Sequence, residues 1–273
     1  MSDTTASPPL PGSQSLPVVR HRQGTLQSVT DLVAEECPVA LVFNGISHAV
    51  MMATPADLDH FALGFALSEG IVDHVGAVRD IEVVMHADSA EVQMEIAQGD
   101  FVALKAQRRA LAGRTGCGVC GIESIELLDL APPRIGTKAP AVDETAIARI
   151  LEDLPSHQPL MRATGCAHGA AWCTPEGDIV RLFEDVGRHN ALDKLLGWMA
   201  REAIAPDSGL VFLTSRASYE LVRKAARRDI ALIATISAPT SLAVRIAVDA
   251  GITLLSFCRA NGFVAYGADG ASA

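Results

Sequence analysis

Two cysteines, Cys117 and Cys120, stand in the run Gly113-Arg114-Thr115-Gly116-Cys117-Gly118-Val119-Cys120-Gly121. Glycine brings no packing surface and costs chain entropy. Thiols flanked by Gly116, Gly118 and Gly121 are therefore expected on an accessible, mobile loop rather than in a core. Such thiols suit a carrier that visits two partners. Thiolate attack on a persulfide donor moves the outer sulfur across, and a second attack passes it on. Arg114 favours the thiolate by proximity. Two other chemistries compete for the pair. A structural zinc site needs about four ligands, usually two such pairs, and here Cys166 and His168 would have to complete the set. A thioredoxin-type dithiol belongs at a helix start in a βαβ context, whereas this pair lies among glycines. Of the six cysteines, most of the remaining four (Cys37, Cys166, Cys173 and Cys258) read as small buried hydrophobes.

A second chemical feature is Glu184-Asp185-Val186-Gly187-Arg188-His189-Asn190, which ends a strand and opens a helix. Asn190 with Asp193 resembles a capping pair, which leaves Arg188 and His189 unexplained. A positive pair at a helix N-terminus works with the helix dipole to hold an anion. Two further joints look alike: Thr214-Ser215-Arg216-Ala217-Ser218 and Ser237-Ala238-Pro239-Thr240. Each puts hydroxyls and free N–H groups at the carboxyl end of a parallel strand, where open α/β sheets bind ligands. Ser and Thr are ordinary caps, so one joint says little. Three of them, with Arg188 and Arg216, point to a phosphate-bearing ligand. Neither a Walker loop nor a dinucleotide glycine fingerprint occurs. His168, in Thr164-Gly165-Cys166-Ala167-His168-Gly169, reads equally as a site residue and as a satisfied histidine on a half-buried strand.

The elements that must position these residues fall into two parts. Residues 1–17, rich in Ser, Thr and Pro, read as a disordered tail, with folded structure from about Val18. Residues 18–138 read as a strand-rich α+β domain with one helix, carrying the cysteine loop at 113–121. Runs Val39–Phe43 and Ile46–Met52 flank Asn44-Gly45, a tight-turn pair. Thr54 is expected to cap a helix closed near Gly70. Strands follow at Ile81–Met85 and around Val92, Met94 and Ile96. Residues 139–273 read as an α/β domain. Asp143 caps a helix, and the order αββαβαβαβ implies a largely parallel sheet with right-handed crossovers. Arg223, Lys224, Arg227 and Arg228 read as the exposed face of a helix.

The bulk numbers set limits. The 273 residues suffice for one large or two small domains. Hydrophobic residues make up 49% but aromatics only 4%, so the core is expected to be aliphatic. No apolar run approaches the roughly 18–20 residues that cross a bilayer, and no secretory signal begins the chain. A cytoplasmic protein without a membrane partner is expected, and in that compartment no disulfide framework. A net charge of -10 disfavours extended nucleic-acid contact.

Together these segments resemble the FdhD family, the formate dehydrogenase accessory sulfurtransferases. The resemblance rests on 113–121, Thr164–Ala170, Glu184–Lys194, Thr214–Ser218, Ser237–Ala243, Ala250–Phe257 and the run from Asn44 through Gly70. It implies a cytidine-deaminase-like C-terminal domain of three layers, α/β/α, beside the smaller N-terminal domain. It implies sulfur transfer from a cysteine desulfurase to the Cys117/Cys120 pair, with Cys117 as the persulfide carrier. The sulfur then passes to a client molybdenum cofactor, Mo-bis(molybdopterin guanine dinucleotide), for the catalytic subunit of formate dehydrogenase. Guanine nucleotide (GDP) would mimic that client. The residues assigned to hold it are Thr164, Gly165, His168, Asp185, Arg188, His189, Thr214, Ser215, Arg216, Ser237, Pro239 and Thr240. The family's C-terminal segment adds Phe257, Cys258, Arg259, Ala260, Asn261 and Gly262. No metal ligands are assigned, and a homodimer is implied. Cys166 departs from the pattern, standing where the family usually has glycine. Deaminase chemistry is disfavoured: Gly169 and Ala170 follow His168 with no glutamate in place, and the cysteine pair comes too early in the chain. The rival readings are a cofactor-binding chaperone that does not handle sulfur, and a zinc hydrolase built on Cys117, Cys120 and His168.

Overall fold

The computed structural model describes residues 10–112 and 132–267, so Cys117, Cys120 and their loop lie outside the described residues. The chain opens with an antiparallel ribbon, β1 (Ser13–Arg22) and β2 (Thr25–Ala34). It turns at Gln23-Gly24, both at positive φ. Regular structure thus starts at Ser13, inside the stretch read as a tail. The composition misled because Pro17 lies in a two-stranded ribbon, where both strands are edges and a missing N–H is tolerated.

A four-stranded sheet follows, ordered β4-β3-β6-β5. Its strands are β3 (Cys37–Phe43), β4 (Ile46–Ala53), β5 (Val78–Met85) and β6 (Ala90–Ile96). Asn44 and Gly45 take φ of 45° and 78°, the paired left-handed geometry that a type I′ turn requires. Alternate residues Val39, Leu41, Phe43, Val92 and Met94 are buried in one core with helix α1 (Leu58–Ser68). A second helix, α2 (Gln98–Ala112), adds Phe101 and Leu104 to that core, where the sequence indicated one helix. Gly70 follows α1 at positive φ as expected. Thr54 does not cap α1. Asp57 holds that position without a side-chain bond, and Thr54 is drawn to the other half of the chain.

That second half begins with α3 (Glu144–His157), capped by Asp143, whose carboxylate accepts from Ala146 N at 2.8 Å. It continues through α4 (Pro159–Thr164), β7 (His168–Cys173), β8 (Ile179–Asp185), α5 (Arg188–Arg201), β9 (Leu210–Leu213) and α6 (Tyr219–Arg227). β10 (Leu232–Thr235), α7 (Ser241–Ala250), β11 (Thr253–Arg259) and β12 (Gly262–Tyr266) complete it. The sheet order is β12-β11-β10-β9-β7-β8. β9, β10 and β11 pair in parallel. β7 is antiparallel to both its neighbours, so β8 runs with the other three. β12, unread in the sequence, returns antiparallel. Side chains alternate across the sheet. Trp172, Val211, Leu213, Ile233 and Leu254 join the core with α5, α6 and α7, whereas Cys173, Leu210, Phe212, Leu232 and Leu255 join the core with α3. The result is three layers, α/β/α.

The halves meet along α1 and α5. A Cβ on Gly64 would lie 1.7 Å from Asp193 O, and one on Gly197 would lie 1.9 Å from His60 O, so the two backbones touch. Beside this crossing, Lys224 Nζ donates to Ser68 Oγ at 2.9 Å and to Asp193 Oδ2 at 2.8 Å, and pairs with Glu69 at 2.8 Å. Arg223 Nη2 reaches both Glu69 oxygens at 2.8 Å. Lys224 is only 4% exposed. The basic cluster is therefore no solvated face at that position, because acidic partners from α1 and α5 draw the lysine inward. A buried charge demands such pairing.

Candidate functional site

The strands that run together, β8, β9, β10 and β11, all end at one edge of the sheet, where β7 begins. Their register aligns the sequence segments singled out above. His168 pairs with Asp185. Gly169 N donates to Thr214 Oγ1 at 2.8 Å, and Thr214 N donates back to Gly169 O at 3.0 Å. Ala217 bridges to Pro239, and Phe257 N donates to Ser237 O at 3.3 Å.

Beneath this edge lies a knot around Asp185, which is fully buried. Its Oδ1 accepts from Gly187 N at 2.8 Å and Asn190 Nδ2 at 3.0 Å. Its Oδ2 accepts from Thr54 N at 3.1 Å and faces Lys194 Nζ at 2.7 Å. Both oxygens are taken, so Asp185, assigned to the ligand from the sequence, instead fixes the start of α5. Asn190 also donates to Met52 O at 2.8 Å, and Asp193 is held by Ser68 and Lys224. Neither caps α5. Gly187 is the N-cap and has no side chain to offer.

Above the knot, α5 opens with Arg188 and His189. His189 Nε2 lies 2.5 Å from Glu220 Oε2, a close ion-pair contact across to the first turn of α6. Contact with His189 holds the Glu220 carboxyl below its usual range. Arg188 Nε is buried and has no acceptor among the described residues, and the same is true of Ser218 Oγ at the N-cap of α6. Burial, then the Arg188 charge, pushes the His168 imidazole below its usual pKa. The third helix start is satisfied: Thr240 accepts from Ala243 N at 3.2 Å. Arg216 is exposed.

At the far end, Phe257 sits in an irregularity of the β11–β12 ladder at φ 55°, 42% exposed. A bulky residue in left-handed backbone is strained. Arg259 Nη1 donates to Ile236 O and Cys258 O, both at 2.7 Å. The Cys258 side chain points into the α3 core, and burial raises its thiol to about 11. Its thiol is thereby removed from the edge to which the sequence assigned it. Ala260 and Asn261 form the exposed turn before Gly262. Thr164 Oγ1 donates to Leu160 O and accepts from Cys166 N, leading through the left-handed Gly165 to His168. Arg188 and Arg216 thus stand at two strand-to-helix joints along this edge, on either side of the His189–Glu220 contact.

A family model for the FdhD/NarQ family matches residues 34–271. The chain belongs to the FdhD/NarQ family. Among FdhD relatives, the sulfur carrier protein FdhD of Chromobacterium violaceum is 62% identical over 257 residues, covering 93% of this chain and 95% of that protein. The protein of the same name from Burkholderia cenocepacia is 58% identical over 263 residues, with 94% of each chain covered. A crystal structure described as a formate dehydrogenase accessory protein, from Desulfotalea psychrophila, superposes with a TM-score of 0.71 at 25% identity. It covers 94% of this chain and 97% of its own.

Within this FdhD-family fold, the segments around His168, Arg188, Thr214 and Ser237 meet at one sheet edge, the Asp185 and Cys258 side chains are turned into the interior, and Cys117 and Cys120 lie outside the described residues. Cys166, the departure from the family pattern, is an exposed free thiol near the start of β7. Sequence reasoning missed Glu220, Thr54 and Lys194. Only Glu220 left a signal, as an acid in the first helical turn after the Thr214–Ser218 joint. No described helix is long and apolar enough to cross a membrane. Among the described residues no group of three or more His, Cys, Asp or Glu is arranged for a metal.

Proposed function

We propose that this protein is a sulfur carrier for formate dehydrogenase maturation. It receives sulfur from a cysteine desulfurase as a persulfide on Cys117 or Cys120. It delivers that sulfur to a molybdenum cofactor whose guanine nucleotide phosphates rest on the sheet edge. In the loading step a thiolate of the pair attacks the outer sulfur of the donor persulfide. A new S–S bond forms on the carrier, and the donor cysteine leaves as its thiolate. Arg188, His189 and Arg216 hold the phosphates, with the N–H groups at the starts of α5 and α6. Phe257 offers a flat face to a base, and the catalytic subunit of formate dehydrogenase receives the finished cofactor. The protein works in the cytoplasm as a homodimer.

The observation that carries the ligand half is Arg188 Nε, a charged donor out of water with no acceptor among the described residues. An unpaired buried donor costs about 1–3 kcal/mol, and a phosphate oxygen removes that cost. The sulfur half rests on the glycine-flanked cysteine pair and on relatives named sulfur carriers. The test loads the protein with a desulfurase and cysteine and maps the added 32 Da by mass spectrometry. Cys117→Ala and Cys120→Ala singly should lower the label, and the double variant should abolish it. Full label on the double variant would move the carrier role to another cysteine, and an unlabelled double variant that still matures formate dehydrogenase would leave a cofactor chaperone in its place.

A further inference from the structure

The β1–β2 ribbon has no place in the chemistry above. Among the described residues its two ten-residue strands pair only with each other, and extend about 33 Å at strand rise. The root is seated where Gly12 meets Thr54 and Leu160. Beyond it, Leu16, Val18, Val29 and Val33 share one face, and Val19 and Leu26 lie on the other. Val19 is 57% exposed and Leu26 67% exposed. Apolar side chains on both faces, with two open strand edges, make a ribbon that is marginal alone in water.

The charges on this ribbon are segregated. Arg20, His21 and Arg22 lie at the tip, and no carboxylate occurs from residue 20 to residue 30. Glu35 and Glu36 lie exposed at the root, and no Lys or Arg occurs from residue 31 to residue 37. Asp31 lies between, 3.8 Å from Arg20. On a chain of net charge -10 this basic tip stands against the prevailing sign. Such an arm complements itself. Laid antiparallel about a two-fold axis, the tip of one copy meets the root of the other, twice over, as an isologous contact requires.

We propose that the ribbon is the dimerisation arm, packing lengthwise against the ribbon of a second copy, Arg20 and Arg22 against the partner's Glu35 and Glu36. This inference rests on the homodimer of the preceding section and adds the surface that makes it. Two full-length variants test it by sedimentation velocity, with circular dichroism as a check on folding. One reverses the tip (Arg20→Glu with Arg22→Glu), the other the root (Glu35→Arg with Glu36→Arg). Each carries like charge at both ends, and its dimer dissociation constant should rise about tenfold or more. Mixed one to one, the two should restore a dimer, because each contact then joins opposite signs. Variants that stay as dimeric as the parent, or a mixture that stays monomeric, overturn the arm while leaving the homodimer standing. A monomeric parent chain overturns both.

Discussion

Helix α5 sends positive groups to two destinations. Lys194, fully buried, meets Asp185 Oδ2 at 2.7 Å, Glu184 O at 3.2 Å and Thr54 O at 3.3 Å. Arg188, six residues earlier, has an Nε–H shielded from water that meets no acceptor among the described residues. Lys194 is spent on architecture: it neutralises the carboxylate that joins the two halves of the chain. Arg188 sits above that knot with one donor unused. The difference separates a charge that builds the fold from one held ready for something else, since a buried polar group is costly unless paired.

The contrast can be broken first at Lys194. Lys194→Met leaves Asp185 buried and uncompensated, and should cost about 3–5 kcal/mol of stability, read by urea denaturation. Arg188→Ala should do the reverse, weakening GDP binding by about 1.5–3 kcal/mol in calorimetry with the melting temperature unchanged or slightly raised. If Arg188→Ala instead destabilised the fold as Lys194→Met does, the distinction between the two cations would collapse. Phe257→Gly sharpens it at the other end of the edge. Relief of the left-handed backbone should raise stability by up to about 1 kcal/mol, while loss of the ring weakens nucleotide binding several-fold. A variant less stable than the parent would show that the ring packs as structure.

Acid titration probes the contrast through pH. Burial lowers the pKa of both His60 and His168 in the folded chain. Below the usual histidine value near 6.5 the unfolded chain then binds more protons, so stability should fall as pH drops through that value. His60→Gln with His168→Gln should flatten that limb in melting curves between pH 7 and 5. The limb should be shallow, because both rings are partly exposed. A second loss lies lower. Burial raises the Glu69 carboxyl, but Lys224 and Arg223 outweigh it and hold it at about 2. Its stabilisation is complete above about pH 4.5 and drains away toward pH 2, and Glu69→Gln should remove this deeper limb.

Much of the architecture was readable because it rests on local rules. Asn44-Gly45 announced its turn, Asp143 its helix, and the apolar alternation its strands. The edge was readable for the same reason, since strand-to-helix joints must lie at strand ends. What escaped depends on partners far along the chain. Lys224 looked solvated because Ser68 lies 156 residues away. Asn190 looked like a cap because Met52 lies 138 residues away. Glu220 became meaningful only once His189 stood against it. The β1 strand was hidden by a composition that suits a tail, and its pairing carries no local mark beyond Gly24.

The seating of Gly64 on Gly197 carries one more consequence. Where two helices rest main chain on main chain, there is no cushion of side chains to shear, and neither piece can glide past its mate. Whatever docks on the ledge of Arg188 meets a floor already set, as a coin meets a die.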